Sequence, residues 1–368
     1  MLRSARSLLI GLCGLLVIPP PLLPASDDAV AAPGAALKAL SRLKPVDAHA
    51  HVYKNDPALL ELLGRLNLRL LNICLIDDRY PAFRALEPQR SQVLTVCRSS
   101  AGRAAFCTTF SPYDFAEAGF AERVNRQLDR DFSDGAIAVK IYKTIGMQIT
   151  NRAGHFLQAD DPVFDPIYRH IAAKGRTLIA HLAEPSTCWE PPGPANLDTE
   201  YYRKYPQEYA WLHPEFPAKE TILAARERML ARHPQLRVIG AHLGSLETNV
   251  ADLALQFDRY PHFAVDTAAR VPRLMLQPGE KVRAFLIRYQ DRVLYGTDFV
   301  FMSDDDPARA LRQYAATLER DWKYFATDEP VEFKGHKIRG LKLPRNVLRK
   351  LYHDNAARWL PGIVSEAR

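Results

Sequence analysis

The chain has 368 residues, 47% of them apolar, and a formal charge of +7. That length suits one large core, and a single barrel-sized domain of roughly 250 to 330 residues fits better than two average domains. The basic excess is spread through Arg-rich helical stretches near residues 226–232 and 345–358; with no zinc finger, aromatic RNA-binding signature or dense Lys/Arg run, no nucleic-acid partner is expected.

At the N-terminus, Arg3 and Arg6 precede an apolar run over residues 8–18, and small residues follow around Ala25. This is the pattern of a signal peptide over residues 1–25, which predicts an exported protein, periplasmic or secreted. The run stops at Pro19, Pro20 and Pro21, short of the roughly 20 residues a transmembrane helix needs, so no stable membrane insertion is expected after cleavage. Cys13 would leave with the signal, while Cys74, Cys97, Cys107 and Cys188 would remain where disulfides persist. Their spacing defines no pairing, and there is no C-x-x-C. Residues 26–40, rich in Ala, Pro and Asp near their start, read as a flexible leader before a domain over 41–365.

Within that domain, eight short runs rich in Val, Ile and aromatics occur at 46–50, 70–76, 104–110, 137–142, 177–180, 237–241, 263–266 and 293–296. Helical stretches separate them. Regular alternation of this kind predicts parallel β/α units, and eight units close a (β/α)8 TIM barrel in a single domain. Between residues 219 and 233, Ile222, Leu223, Met229 and Leu230 mark an apolar helix face, and Arg226, Arg228 and Arg232 a solvated one. A last helix carries Val347, Leu348, Leu351, Tyr352 and Trp359 and stops at Pro361-Gly362. Residues 182–217 break the alternation: this β5-α5 connection is long and rich in Pro, Tyr and Trp, and is expected to fold over the barrel mouth.

Asp47-Ala48-His49-Ala50-His51 ends the first strand, and a period of two places both imidazoles on one face. One H-x-H is weak evidence of a metal site. Two further strands, however, end in His181 and His242, and the last ends in Gly296-Thr297-Asp298. Active sites of barrels lie at the C-terminal strand ends, so these side chains converge on a candidate metal centre. Asp47 faces away from the barrel centre, where it either orients an imidazole or serves a structural hydrogen bond.

With this ordered set the sequence resembles the amidohydrolase superfamily over about residues 45–360. The resemblance lies with the amidohydrolase-related branch that includes aminocarboxymuconate-semialdehyde decarboxylase and aromatic-acid decarboxylases, and particularly with its members carrying V-K-I-Y-K-T-I-G and D-D-P-V-F-D-P blocks, here residues 139–146 and 160–166. It implies a metal held by His49, His51, His181 and Asp298, with His242 a ligand to a second metal or a catalytic acid/base. Lys140 matches the position at which some superfamily members carry a carboxylated, metal-bridging lysine; binding a substrate carboxylate, or a hydrogen bond inside the barrel, is the other reading of it. The expected cofactor is a divalent ion, Zn2+ foremost, in one or two copies.

The function so implied is hydrolysis of an amide, lactone or ester of a small molecule. Asp298 is expected as general acid/base, and His242 as the group that polarises the carbonyl. Non-oxidative decarboxylation of an aromatic or unsaturated acid is the alternative within the same branch, and a barrel that binds a ligand without turnover is the alternative outside enzymes. For substrate contacts the candidates are Arg270, which would clamp a carboxylate or else pair with Asp266 or the loops, and Glu184 and Trp189 in the long connection, with Tyr201, Tyr202 and Trp211 nearby. The remaining histidines are expected at the surface or as caps, and a homo-oligomer stays open.

Overall fold

The computed structural model describes residues 34–364; the expected signal peptide and leader residues 26–33 lie outside the described residues. The leader ends sooner than residue 40, because a helix over Ala35–Ser41 buries Leu37 and Leu40 against the core. Eight parallel strands follow in chain order: β1 Val46–Val52, β2 Arg69–Ile73, β3 Ala104–Thr109, β4 Ala136–Ile141, β5 Thr177–Ala180, β6 Arg237–Gly240, β7 Phe263–Asp266 and β8 Val293–Leu294. Each is hydrogen-bonded to its neighbours in sequence order, with helices between. The domain is a single (β/α)8 barrel.

Closure uses a divided last strand. β8 pairs with β7, and a further short strand, β9 Phe299–Phe301, pairs in parallel with β1. Between them the Ala48 N–H donates to Tyr295 O at 2.9 Å and the Asp298 N–H to His49 O at 2.9 Å. The strand therefore passes from one neighbour to the other, with Asp298 at the crossing in a left-handed conformation, φ 66°.

Two apolar layers hold the barrel. An outer one packs the helices on the strands; an inner one, from Val46, Ala48, Leu71, Ile73, Cys107, Ala138, Ile179, Ile239, Ala264 and Leu294, fills the interior. Ala356, Trp359, Leu360 and Ile363 close the inner layer from below. The backbone that brings them there runs through Arg345–Arg349, a wider turn over Lys350–Asp354 and Asn355–Trp359.

The helix Lys219–Arg232 corrects one expectation: Arg226 is buried, 1% exposed, and not on the wet face with Arg228 and Arg232. Its guanidinium donates through Nη1 to Gly244 O and lies 5.1 Å over the Phe263 ring. His233, expected at the surface or as a cap, caps the end of this helix and is buried, with Nε2 2.8 Å from Asp165 Oδ1. Beyond the barrel, β10 Pro330–Phe333 and β11 His336–Arg339 form an antiparallel hairpin that strand periodicity did not announce. No helix among the described residues is long and apolar enough to cross a membrane.

Candidate metal centre

Strict alternation along β1 would set Asp47, His49 and His51 on one face. A register shift between Asp47 and Ala50 separates them, and such a bulge re-aims the side chains beyond it. Asp47 consequently points outward, accepting from the Tyr314 hydroxyl of the flanking helix at 2.9 Å, while His49 and His51 point into the mouth.

A second local device aims His242. Ile239 and Ala241 face the barrel interior, so continued alternation would turn residue 242 outward. Instead His242, Leu243, Gly244 and Ser245 take φ of 58°, 58°, 59° and 58°, a left-handed turn that swings the imidazole back over the site. Each non-glycine residue in it costs roughly 1–2 kcal/mol. Asp266 Oδ1 offsets part of that cost by accepting from the His242 N–H at 2.8 Å, and Ser245 Oγ donates to Leu182 O at 2.7 Å. Gly240 is required behind the turn, since a Cβ there would sit 2.7 Å from the Phe263 ring and 2.9 Å from Gly244 Cα.

Around this centre the imidazoles are fixed from behind. His49 Nδ1 lies 2.8 Å from Asp266 Oδ2 and His51 Nδ1 2.9 Å from Ile73 O. Both partners accept, so Nδ1 carries the proton and each Nε2 lone pair points inward. Asp298 Oδ1 lies 3.6 Å from His49 Nε2 and 3.5 Å from His51 Nε2, and one donor atom from each of the three residues falls within 4.8 Å of the others. Two ligands about 2.1 Å from one ion at a tetrahedral angle stand about 3.4 Å apart, so the spacing suits a shared cation.

Two buried atoms without a hydrogen-bond partner strengthen the fit, Asp298 Oδ2 and His181 Nε2. The His181 ring lies 4.3 Å from that of His242, which in turn lies 4.8 Å from that of His49. Burial holds all four histidines well below their usual protonation range, helped at His49 by Lys140 and Arg270. Neutral imidazole is the metal-binding form. Burial pushes the Asp298 carboxyl well above the usual carboxylate range, against the opposing pull of Lys140 and Arg270.

Lys140 Nζ stands 3.1 Å from His49 Nε2. One lone pair cannot serve an ammonium and a metal ion together, so ion loading requires Lys140 to move aside or to lose its positive charge. His242 Nδ1 is 2.9 Å from Ala268 O; its proton is committed there, and its Nε2 offers a lone pair instead of the donor that carbonyl polarisation needs.

The side chains of the long connection that follows β5 divide. Glu184 is ion-paired with Lys143 and Trp189 donates its indole N–H to Pro217 O at 3.1 Å. Tyr202 stacks on Tyr209 with centroids 4.6 Å apart, and Trp211 is half exposed. Glu208, which periodicity did not single out, anchors the segment: it accepts from Tyr80 at 2.6 Å and pairs with Lys143 at 2.9 Å and Arg79 at 3.1 Å. Arg270 is buried and does not pair with Asp266, whose oxygens serve His49, His242 and Ala268. The role of Asp266 was missed because a strand-terminal Asp without a neighbouring histidine gives no spacing signal.

A family model described as Amidohydrolase matches residues 90–362. No curated protein matches the chain. Among solved structures, 2,6-dihydroxybenzoate decarboxylase from Rhizobium superposes with a TM-score of 0.51 at 12% identity, covering 86% of this chain and 98% of that one. Dihydroxybenzoic acid decarboxylase from Polaromonas sp. JS666, solved with bound manganese and 2-nitroresorcinol, gives 0.50 at 13% identity over 86% and 96%. Dihydroorotase from Campylobacter jejuni matches more loosely, at 0.41 and 13% identity over 85% and 82%. At such identities the likeness is one of fold.

Proposed function

The chain belongs to the amidohydrolase family, and on that premise we propose that it is a metal-dependent hydrolase acting on an amide, lactone or ester of a small molecule. The observation that carries this reading is the division of labour within Asp298. Oδ1 lies with the Nε2 atoms of His49 and His51, whereas Oδ2 is buried without a partner. A carboxylate so divided can hold an ion with one oxygen and a proton with the other.

His49, His51 and Asp298 would hold the ion, with His181 and His242 completing the donor set, and zinc is the proposed metal. A divalent ion supplies Lewis acidity and lowers the pKa of water from about 15.7 towards 7. Asp298 Oδ2 takes the proton of the attacking water and returns it to the leaving oxygen or nitrogen, a role open to a carboxylate oxygen that no other group occupies. Asp266 keeps His49 in the tautomer whose Nε2 lone pair faces the site. The anchored connection over residues 182–217 screens the mouth from bulk water.

The test is metal analysis of wild-type and Asp298→Asn protein beside a screen of amides, lactones, esters and carboxylated aromatics. The variant should keep bound metal and lose turnover by at least about a hundredfold, the lower bound usual for a general acid/base. Equal turnover in both proteins removes Asp298 from the mechanism, and release of carbon dioxide from the aromatic acids with no hydrolysis moves the assignment to decarboxylation.

A further inference from the structure

Arg270 is 6% exposed, yet it makes no ion pair among the described residues. Nη1 donates to the carbonyl of the adjacent Ala269 at 3.2 Å, and Nε is buried with no partner. A guanidinium presents five N–H donors in a planar fork, so most of its capacity is unspent. Burying a charge in this condition is costly unless something anionic meets it.

The protein's own carboxylates near it are engaged elsewhere. Glu247 pairs with Lys219 at 3.0 Å and accepts from the Ser186 N–H at 2.8 Å. Asp198 is taken by Arg273 and by the Thr187 hydroxyl, and Glu184 by Lys143. Each lies close enough to hold Arg270 in its charged form, but none closes on the fork.

Position supplies the direction. Arg270 ends the turn after β7 whose Ala268 O accepts from His242 Nδ1 at 2.9 Å and whose Ala269 N–H donates to Thr297 O at 3.3 Å, next to Asp298. The guanidinium thus belongs to the same mouth as the metal-ligand candidates, and its charge is felt at His49, His181 and His242.

We propose that Arg270 receives a carboxylate of the substrate, so that the molecules hydrolysed carry an anionic group separate from the carbonyl that reacts. This rests on the hydrolase reading above. Two parallel N–H···O bonds to a carboxylate match the fork, which a lysine cannot reproduce. In hydrolysis of an ester, lactone or amide, water gives its oxygen to the carbonyl carbon and its proton to the leaving oxygen or nitrogen. Where the anionic group lies on the acyl side of the broken bond, the acyl product then carries a second carboxylate while the first stays on Arg270, and the step that consumes it accepts a small dicarboxylate.

The experiment is calorimetric titration of metal-loaded wild-type, Arg270→Lys and Arg270→Met protein with straight-chain dicarboxylates from malonate to adipate and with the corresponding monocarboxylates. At least one dicarboxylate should bind the wild type ten times or more tighter than its monocarboxylate counterpart. Arg270→Met should lose that advantage and Arg270→Lys should recover only part of it. Equal binding of the two series by the wild type, or an advantage that survives Arg270→Met, overturns the proposal. If Arg270→Met does not fold, a dicarboxylate preference left intact in Arg270→Lys overturns it, and a preference reduced in Arg270→Lys supports it. Binding needs no turnover, so a failed substrate screen with dicarboxylate discrimination intact refutes the hydrolase reading and not this one.

Discussion

Asp47 accepts from both the backbone N–H of Thr297, at 3.0 Å, and its hydroxyl, at 2.5 Å. The same carboxylate accepts from the His49 N–H at 3.1 Å, so it joins the two segments that carry His49 and Asp298 across the closing seam of the barrel. Thr297→Val keeps the volume and removes the hydroxyl. We expect metal affinity to fall about 10- to 100-fold, the usual cost of losing a group that orients a ligand. Thr297→Ser should stay near wild type. Metal titration by calorimetry checks this, and unchanged affinity in Thr297→Val would show that the seam does not need the clip.

Removing the ion should destabilise the fold. A ligand present at about a thousand times its Kd contributes roughly 4 kcal/mol, so chelation is expected to lower the Tm by several degrees. In His51→Ala protein, which lacks one of the three clustered donors, the chelator should leave the Tm unmoved. A chelator shift of the same size in that variant would place the ion elsewhere.

Arg226 is buried with no carboxylate partner among the described residues, and burial pushes its guanidinium down to about 10. Its hydrogen bond to Gly244 O holds the left-handed turn that aims His242. Replacing a buried, uncompensated charge by an apolar side chain of similar volume is often neutral or stabilising. Arg226→Met should therefore unfold within about 1–2 kcal/mol of wild type, offset by the carbonyl left without its donor. Amide exchange over residues 242–245 should nevertheless quicken. Loss of several kcal/mol with unaltered exchange in the turn would make Arg226 a core residue with no bearing on His242.

Glu208 secures the long connection. Lys143 and Arg79 hold its carboxyl below the ordinary value of 4.5 in spite of burial. A carboxyl depressed on folding contributes stability that is complete above its unfolded value and is lost as the pH falls through the folded one. Protease cleavage within residues 190–216 should thus accelerate as the pH drops below about 4.5. Glu208→Ala should show fast cleavage at neutral pH with little further change on acidification, because Lys143, Arg79 and Tyr80 all lose the carboxylate that ties the connection to them. Slow, pH-independent cleavage of that variant would mean the segment is fixed by its aromatic packing alone.

Much of this architecture was legible in the chain. The eight apolar runs coincide with β1 to β8 because strands buried on both faces need continuous Val, Ile and Ala, and the residues that end them are those that meet at the mouth. What the chain did not announce is the backbone that departs from periodicity: alternation cannot register the bulge in β1, the left-handed turn at His242 or the passage of the last strand from β7 to β1. Arg226 was assigned to water because an arginine on a helix is usually solvated, and its partner is a carbonyl that only the turn presents. The ion pairs of Glu208 reach Lys143 and Arg79, 65 and 129 positions away, and nothing local encodes them.

Trp359, Leu360 and Ile363 close the barrel floor, and the Thr177 hydroxyl donates to Trp359 O at 2.5 Å. The residues nearest the start of β1 thus wait for almost the last ones of the domain before their apolar side chains are covered. During synthesis, a ribosome-bound chain that already has all eight strands still exposes its interior from beneath until the final helix emerges. A chain lacking residues 359–363 would leave the lower opening of the barrel uncovered, with the apolar side chains of the inner layer facing water.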